Sequence, residues 1–275
     1  MDLLMELLDA PASQDAADTT HAAPEPSVDD STDAGNTRAA LRFITCGSVD
    51  DGKSTLIGRL LLDSRTVLQD QLASVSRSGT VDLAQFTDGL TAEREQGITI
   101  DVAYRYFSTA RRKFIIGDTP GHEQYTRNMV TAASNADAAV VLVDATKLPW
   151  HADPAVSEQQ HLLPQTRRHS LLARLLRVPT IVFAVNKLDA VADPALAFAN
   201  IRHALQTFAA SAGIPVVGIV PISALHGNNV VNPDPGWCDY RGPALLQLLE
   251  QLPTTAGDHQ HALAVPVQWV EKLAN

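Results

Sequence analysis

An α/β fold is what this sequence predicts, on three observations. From Leu41 onward, short apolar runs alternate with amphipathic helical patterns, the signature of βα units. Three of those runs, AAVVLVDA, TIVFAVNK and VVGIVPIS, are continuously apolar, as in strands covered by helices on both faces. The first run ends in Gly47-Ser48-Val49-Asp50-Asp51-Gly52-Lys53-Ser54, a glycine loop whose spacing joins a strand to a helix around a phosphate.

The elements follow in order. LRFITC is a buried strand running into the glycine loop, and Ser54–Asp63 is the helix after it. A polar stretch covers Ser64–Gly97. TIDVAYRYF and RKFIIGDT read as a strand pair turning near TARR. Helical patterns at Glu123–Ala133, Thr166–Leu176 and Pro194–Ala212 accompany the three apolar strands, and a last one lies at Pro243–Leu252. Beyond a linker (Pro253–Ala262), VPVQWV is a lone strand signal with nothing after it to pair with. It reads as the opening strand of a second, truncated domain. The chain thus divides into an N-terminal tail (1–37), a nucleotide-binding domain (38–252) and a linker with that strand (253–275).

Charge is unevenly spread. The net charge is −10, yet nine of the 31 acidic residues and none of the 21 basic ones lie in positions 1–37. The remainder is close to neutral, so no basic stripe advertises a nucleic-acid surface. The tail is rich in Ala, Asp, Pro and Ser and should be disordered. MDLLMELL before it places Leu4, Met5 and Leu8 at helical spacing, a short frayed helix or a docking helix for a partner groove. No apolar run approaches the length of a membrane span. The acidic start speaks against a secretory signal or a mitochondrial transit peptide. Two cysteines, Cys46 and Cys238, are too few for a disulfide framework and suit a reducing, cytoplasmic compartment. Cys46 ends an apolar strand and reads as a buried, inert thiol.

The chemistry sits in loops. Backbone N–H groups of residues 47–54, helped by the positive end of the following helix, can wrap a β-phosphate. Lys53 would reach the β- and γ-phosphates, and the Ser54 hydroxyl, next to Thr55, would bind Mg²⁺. NKLD, Asn186 to Asp189, chooses the base. A carboxylate there accepts from both N1–H and the exocyclic amine of guanine, whereas adenine offers no such pair. Sites of that kind discriminate by about 10⁴–10⁵ if the carboxylate is buried. Asn186 would brace the loops and the Lys187 stem would pack along the base. Ser223-Ala224-Leu225 follows the next strand, where its backbone can contact the guanine oxygen. In DTPGH, Asp118 would hold Mg²⁺ through water, Gly121 N–H would sense the γ-phosphate, and His122 would stand where a water must be positioned for in-line attack. Thr99, in EREQGITID, could complete the Mg²⁺ shell and contact the γ-phosphate, so that losing this phosphate releases both segments.

With all five guanine-nucleotide elements in order, the chain resembles the translation-factor class of P-loop GTPases, which includes elongation factor Tu. The resemblance implies a six-stranded sheet, five strands parallel and one antiparallel, flanked by helices. It implies a catalytic role for His122, beside an apolar gate at Val49 and Ile98. CGSVDDGKSTLIGRLL, DGLTAEREQGITIDVAYRYFS, KFIIGDTPGHEQYTRNM and QTRRHS look more particularly like the GTPase subunit of sulfate adenylyltransferase. Elongation factors carry a histidine before the Gly-Lys, where this chain has Asp50-Asp51. That resemblance runs from Leu41 to about Leu252, and VPVQWV matches the family's entry into a β-barrel. It implies GTP and GDP as ligands with Mg²⁺, and a small catalytic subunit as partner that makes adenylyl sulfate from ATP and sulfate. Some members also carry a fused adenylylsulfate kinase.

Two features depart from that family. KLPWHADPAVSEQQHLLP, residues 147–164, is longer than the family's usual few residues and reads as a surface excursion. The acidic tail is the other. His151, Asp153 and His161 show no metal-ligand spacing. Three readings stand at this level: a GTPase coupled to sulfate activation, a translational GTPase of the elongation factor Tu class, and a guanine-nucleotide scaffold that does not hydrolyse.

Overall fold

The period-two alternation of the apolar runs decides the layers. The computed structural model describes residues 38–64, 102–121, 126–149 and 162–254. Within them lie the strands β1 (Leu41–Cys46), β2 (Ala103–Ser108), β3 (Lys113–Asp118), β4 (Ala138–Asp144), β5 (Thr180–Asn186) and β6 (Val216–Pro221). The helices are α1 (Lys53–Asp63), α2 (Thr126–Ala133), α3 (Pro164–Leu175), α4 (Pro194–Ala212) and α5 (Leu245–Gln251). Along β4, Ala139, Val141 and Val143 enter one buried cluster, while Ala138, Val140 and Leu142 enter another. Met129 of α2, Ala173 of α3 and Phe198, Ile201 and Leu205 of α4 fill the first cluster. Leu56, Ile57 and Leu60 of α1 and Leu245, Leu246 and Leu249 of α5 fill the second. A sheet buried on both faces needs apolar residues at every position, which is why β4 and β5 read as unbroken apolar runs.

The sheet order is β2-β3-β1-β4-β5-β6. β2 pairs antiparallel with β3, and every other pairing is parallel. The expected sheet, five strands parallel and one antiparallel, is therefore the one observed. Parallel strands need crossover connections: α2 carries the chain from β3 past β1 to β4, and α3 and α4 join the neighbours β4–β5 and β5–β6. All carboxyl ends of the parallel strands consequently face one edge, where ligands bind in folds of this kind.

Helix boundaries differ from the sequence expectation by a few residues, each for a local reason. α3 starts at Pro164 rather than Thr166, because proline fits the first helical turn, where its missing N–H costs nothing. α5 starts at Leu245 rather than Pro243: Ala244 stays extended, and its N–H donates to Gln247 Oε1 at 3.3 Å. α4 matches its expected span, with Asp193 accepting from Leu196 N–H at 3.0 Å and Gly213 closing it at φ 61°. The N-terminal tail, the second-domain strand expected at 265–270, and the family-atypical residues 150–161 lie outside the described residues.

At the sheet edge away from the strand carboxyl ends, Arg112 is buried and donates to the carbonyls of Ala39, Leu249 and Leu252. These bonds fasten the β2–β3 turn to the residues before β1 and to the end of α5. Among the described residues, no helix is long and apolar enough to cross a membrane. Both cysteines are buried and unpaired, and burial pushes the Cys46 thiol up to about 12, as an inert core thiol requires.

Candidate functional site

Five loops meet at the carboxyl ends of the parallel strands: 47–53 after β1, 119–121 after β3, 145–147 after β4, 187–189 after β5 and 222–225 after β6. The glycine loop passes directly into α1 through Gly52, whose φ of 93° belongs to the left-handed region. A Cβ on Gly52 would stand 2.4 Å from Asn186 Nδ2, so the position is closed to side chains by space as well as by backbone. Lys53 is buried, and its ammonium donates to Ser48 O at 2.7 Å and Gly47 O at 3.3 Å. Burial lowers its pKa, while the carboxylates of Asp118 and Asp51 pull the other way. Ser54 and Thr55 follow in the first turn of α1, half-buried.

The loop after β3 closes over this lysine. Asp118 is buried and accepts from the Thr45 hydroxyl at 3.2 Å, and Thr119 donates to Thr45 O at 2.6 Å. Gly121 lies so close that a Cβ there would meet Lys53 Nζ at 2.6 Å and Val49 N at 3.0 Å. The backbone of Gly121 thus sits against the phosphate loop. His122 and Thr99 lie outside the described residues, as does Ile98.

Asn186 joins three loops. Its Nδ2 donates to Asp51 O at 2.8 Å, and its Oδ1 accepts from Ala224 N–H at 3.0 Å. One buried side chain thereby spans the phosphate loop, the NKLD loop and the Ser223-Ala224-Leu225 loop, the bracing role expected of it. Arg59 of α1 supports the last of these from below, donating to the carbonyls of Ala224 and Leu225. Ser223 is buried and accepts from His226 N–H at 3.1 Å. Lys187 takes φ 63°, and its ammonium reaches Asp50 O at 2.6 Å and Asp144 Oδ2 at 2.8 Å.

Asp189 departs from expectation. Its carboxylate is not buried: it stands in a short 3-10 turn at the rim, 3.6 Å from His226 Nε2. The turn, Leu188–Ala190, follows directly on β5 and Lys187, and His226 of the loop after β6 lies beside it. Leu225 is itself 58 % exposed.

Three side chains join the site without having been expected in it. Asp144, at the end of β4, is buried and accepts from Thr146 N–H at 2.9 Å and from the Thr146 hydroxyl at 2.6 Å. Burial pushes its carboxyl up, but Lys187 and Thr146 outweigh that and hold it below the usual carboxylate range. Lys147 lies 3.0 Å from Asp51 Oδ1 and 3.7 Å from Asp144 Oδ2. His169 of α3 is buried, and its Nδ1 accepts from Gly47 N–H at 3.1 Å, so the proton sits on Nε2. Burial, with Lys53 and Arg168 nearby, lowers its pKa to about 4 and keeps it neutral at ordinary pH. The one sequence signal for this set was a strand-ending Asp144 followed closely by Lys147, opposite an acidic phosphate loop.

As a donor set, the Ser54 hydroxyl and the buried Asp118 carboxylate are hard oxygens, which suits Mg²⁺. Among the described residues, no cluster of three His, Cys, Asp or Glu side chains offers another metal site.

The chain is 51% identical to sulfate adenylyltransferase subunit 1 of Laribacter hongkongensis over 86% of its own length and 48% of the relative's. It is 49% identical to the bifunctional enzyme NodQ of a Rhizobium species (strain BR816), over 85% of this chain and 36% of that one. The chain thus spans about half the length, or less, of the curated relatives it matches. The GTPase-like domain of S. cerevisiae Ski7, solved with GTP, superposes with a TM-score of 0.60 at 18% identity, covering 78% of this chain and 49% of that one. This last likeness concerns the fold alone. The profile of the elongation factor Tu GTP binding domain matches residues 38–256, most of the chain and every loop described above. With that match and this loop geometry, the chain belongs to the elongation factor Tu GTP-binding-domain family of P-loop GTPases, with sulfate adenylyltransferase subunit 1 among its relatives.

Proposed function

We propose that this domain binds and hydrolyses GTP so as to drive the formation of adenylyl sulfate from ATP and sulfate on a separate small catalytic subunit. The observation that carries the GTP part is Asn186, which ties the phosphate loop to two base-facing loops through two buried hydrogen bonds. What supports the sulfate part is 51% identity to sulfate adenylyltransferase subunit 1, a name that implies a partner subunit. Association with an adenylylsulfate kinase, fused or separate, fits the likeness to a bifunctional relative.

Each residue takes a distinct task in this reading. Residues 47–54 wrap the phosphates with their N–H groups, and Lys53 moves its ammonium from the loop carbonyls to the β- and γ-phosphates. Ser54, Asp118 and Thr99 would hold Mg²⁺, which supplies charge neutralisation at the phosphates when bound. Gly121 N–H senses the γ-phosphate, and His122 orients the attacking water. Asn186, Lys187 and Asp189, with the backbone of Ser223, Ala224 and Leu225, hold guanine, and binding it would bring the rim carboxylate of Asp189 under cover.

This reading takes the activating arginine from the partner: among the described residues, Arg127, the arginine nearest the DTPGH motif in sequence, is exposed on α2. GTPases without one turn over at on the order of 10⁻⁴ s⁻¹, and supplying one in trans can add about 10³- to 10⁵-fold. The isolated chain should therefore hydrolyse GTP slowly and make no adenylyl sulfate. The full-length protein, purified with its catalytic partner, should hydrolyse GTP faster when ATP and sulfate are both present. Hydrolysis that ignores both but responds to ribosomes would replace this reading with a translational one.

A further inference from the structure

Beneath the phosphate loop lies a closed ring of charges. Asp51 is buried, and its two oxygens are both engaged: Oδ2 accepts from Ser48 N–H at 2.5 Å, and Oδ1 faces Lys147 Nζ at 3.0 Å. Lys147 also donates to Val49 O at 2.5 Å and faces Asp144 at 3.7 Å. Asp144 in turn binds Lys187, whose ammonium returns to the loop at Asp50 O. Two lysines from the ends of β4 and β5 thus hold consecutive carbonyls of the glycine loop, and two buried carboxylates hold the lysines.

Resting on the GTP-binding reading above, we infer that Lys147 is a positioning residue for GTP: it fixes the curve of the phosphate loop and neutralises the carboxylate that shapes it. The need for it is electrostatic. Asp51 bends the loop by tying Ser48 N–H across it, but this puts a negative group under a site for phosphates. Burial already pushes the Asp51 carboxyl above the usual carboxylate range, and Lys147 is the nearest charge opposing that shift. Removing the lysine would leave a buried carboxylate without its counter-charge, which costs far more than the pair contributes. Because the ring also includes Lys187, the grip on the base and the grip on the phosphates share one geometry.

The test uses the 275-residue chain and measures GTP and GDP affinity together with the single-turnover hydrolysis rate at saturating GTP. Lys147→Met should weaken both nucleotides by roughly tenfold to a hundredfold, the Lys147 side chain being about one-third exposed and so partly screened. The rate once GTP is bound should change by less than about threefold, since a preformed loop serves ground state and transition state alike. Lys147→Arg should keep most of the affinity. Adding Asp51→Asn to Lys147→Met should restore most of it, because the amide still accepts from Ser48 N–H but carries no charge. A merely structural lysine would give no such rescue. The inference is overturned if Lys147→Met binds like the wild type, or if Asp51→Asn deepens the defect. Should Lys147→Met fail to fold, the double variant still decides, since it must fold and bind for the inference to stand. Wild-type chain that binds no GTP would contradict the proposed function instead.

Discussion

Asn186→Ala should lower the affinity for GTP and GDP by roughly 30-fold or more. Alanine would leave Asp51 O and Ala224 N–H without their partner in a buried place. Each orphaned group costs about 1–3 kcal/mol, and 1.4 kcal/mol is a factor of ten in affinity. The loss should also spread, because Asn186 packs directly against Gly52 and helps shape the left-handed turn that starts α1. Titration of a fluorescent GDP analogue, with thermal unfolding as a folding control, measures it. A folded variant within about threefold of the wild type would show that the three loops hold together without the amide.

His122→Ala should do the reverse, leaving nucleotide affinity nearly intact and slowing single-turnover GTP cleavage by roughly 10²-fold or more. Gly121 is pressed against Lys53 and Val49 so tightly that no side chain fits, so a side chain acting on the water must come from a neighbouring position, and His122 is the next in sequence. A histidine there can orient a water without contributing to the grip on the phosphates. Normal hydrolysis in the variant would return His122 to a structural role.

How far the sequence foretells this protein depends on the range of the interaction. The strands are legible because a sheet covered on both faces demands apolar residues at every position, as in AAVVLVDA and TIVFAVNK. The glycine loop and NKLD are legible because backbone geometry and base chemistry restrict a few adjacent residues. Lys147 and His169 are not: one meets Asp51 across 96 residues of chain and the other meets Gly47 across 122, so only the folded sheet brings them together. Asp189 illustrates the remaining gap. Its place after β5 is legible in the sequence, but its exposure depends on the folded surroundings, which no local pattern encodes. Helix starts shifted by two residues where a proline or an extended N-cap decided the first turn.

The central claim is that these loops form a guanine site, and competition binding on wild-type and Asp189→Asn chains tests it most directly. Labelled GDP would be displaced by GTP, ATP and xanthosine triphosphate in turn. The wild type should prefer GTP over ATP by about 10⁴-fold or more, because adenine cannot satisfy the carboxylate. In Asp189→Asn the amide presents a donor where the carboxylate accepted, so preference should move from GTP to xanthosine triphosphate. A variant that keeps full GTP preference, or a wild type that accepts ATP equally well, would contradict the account.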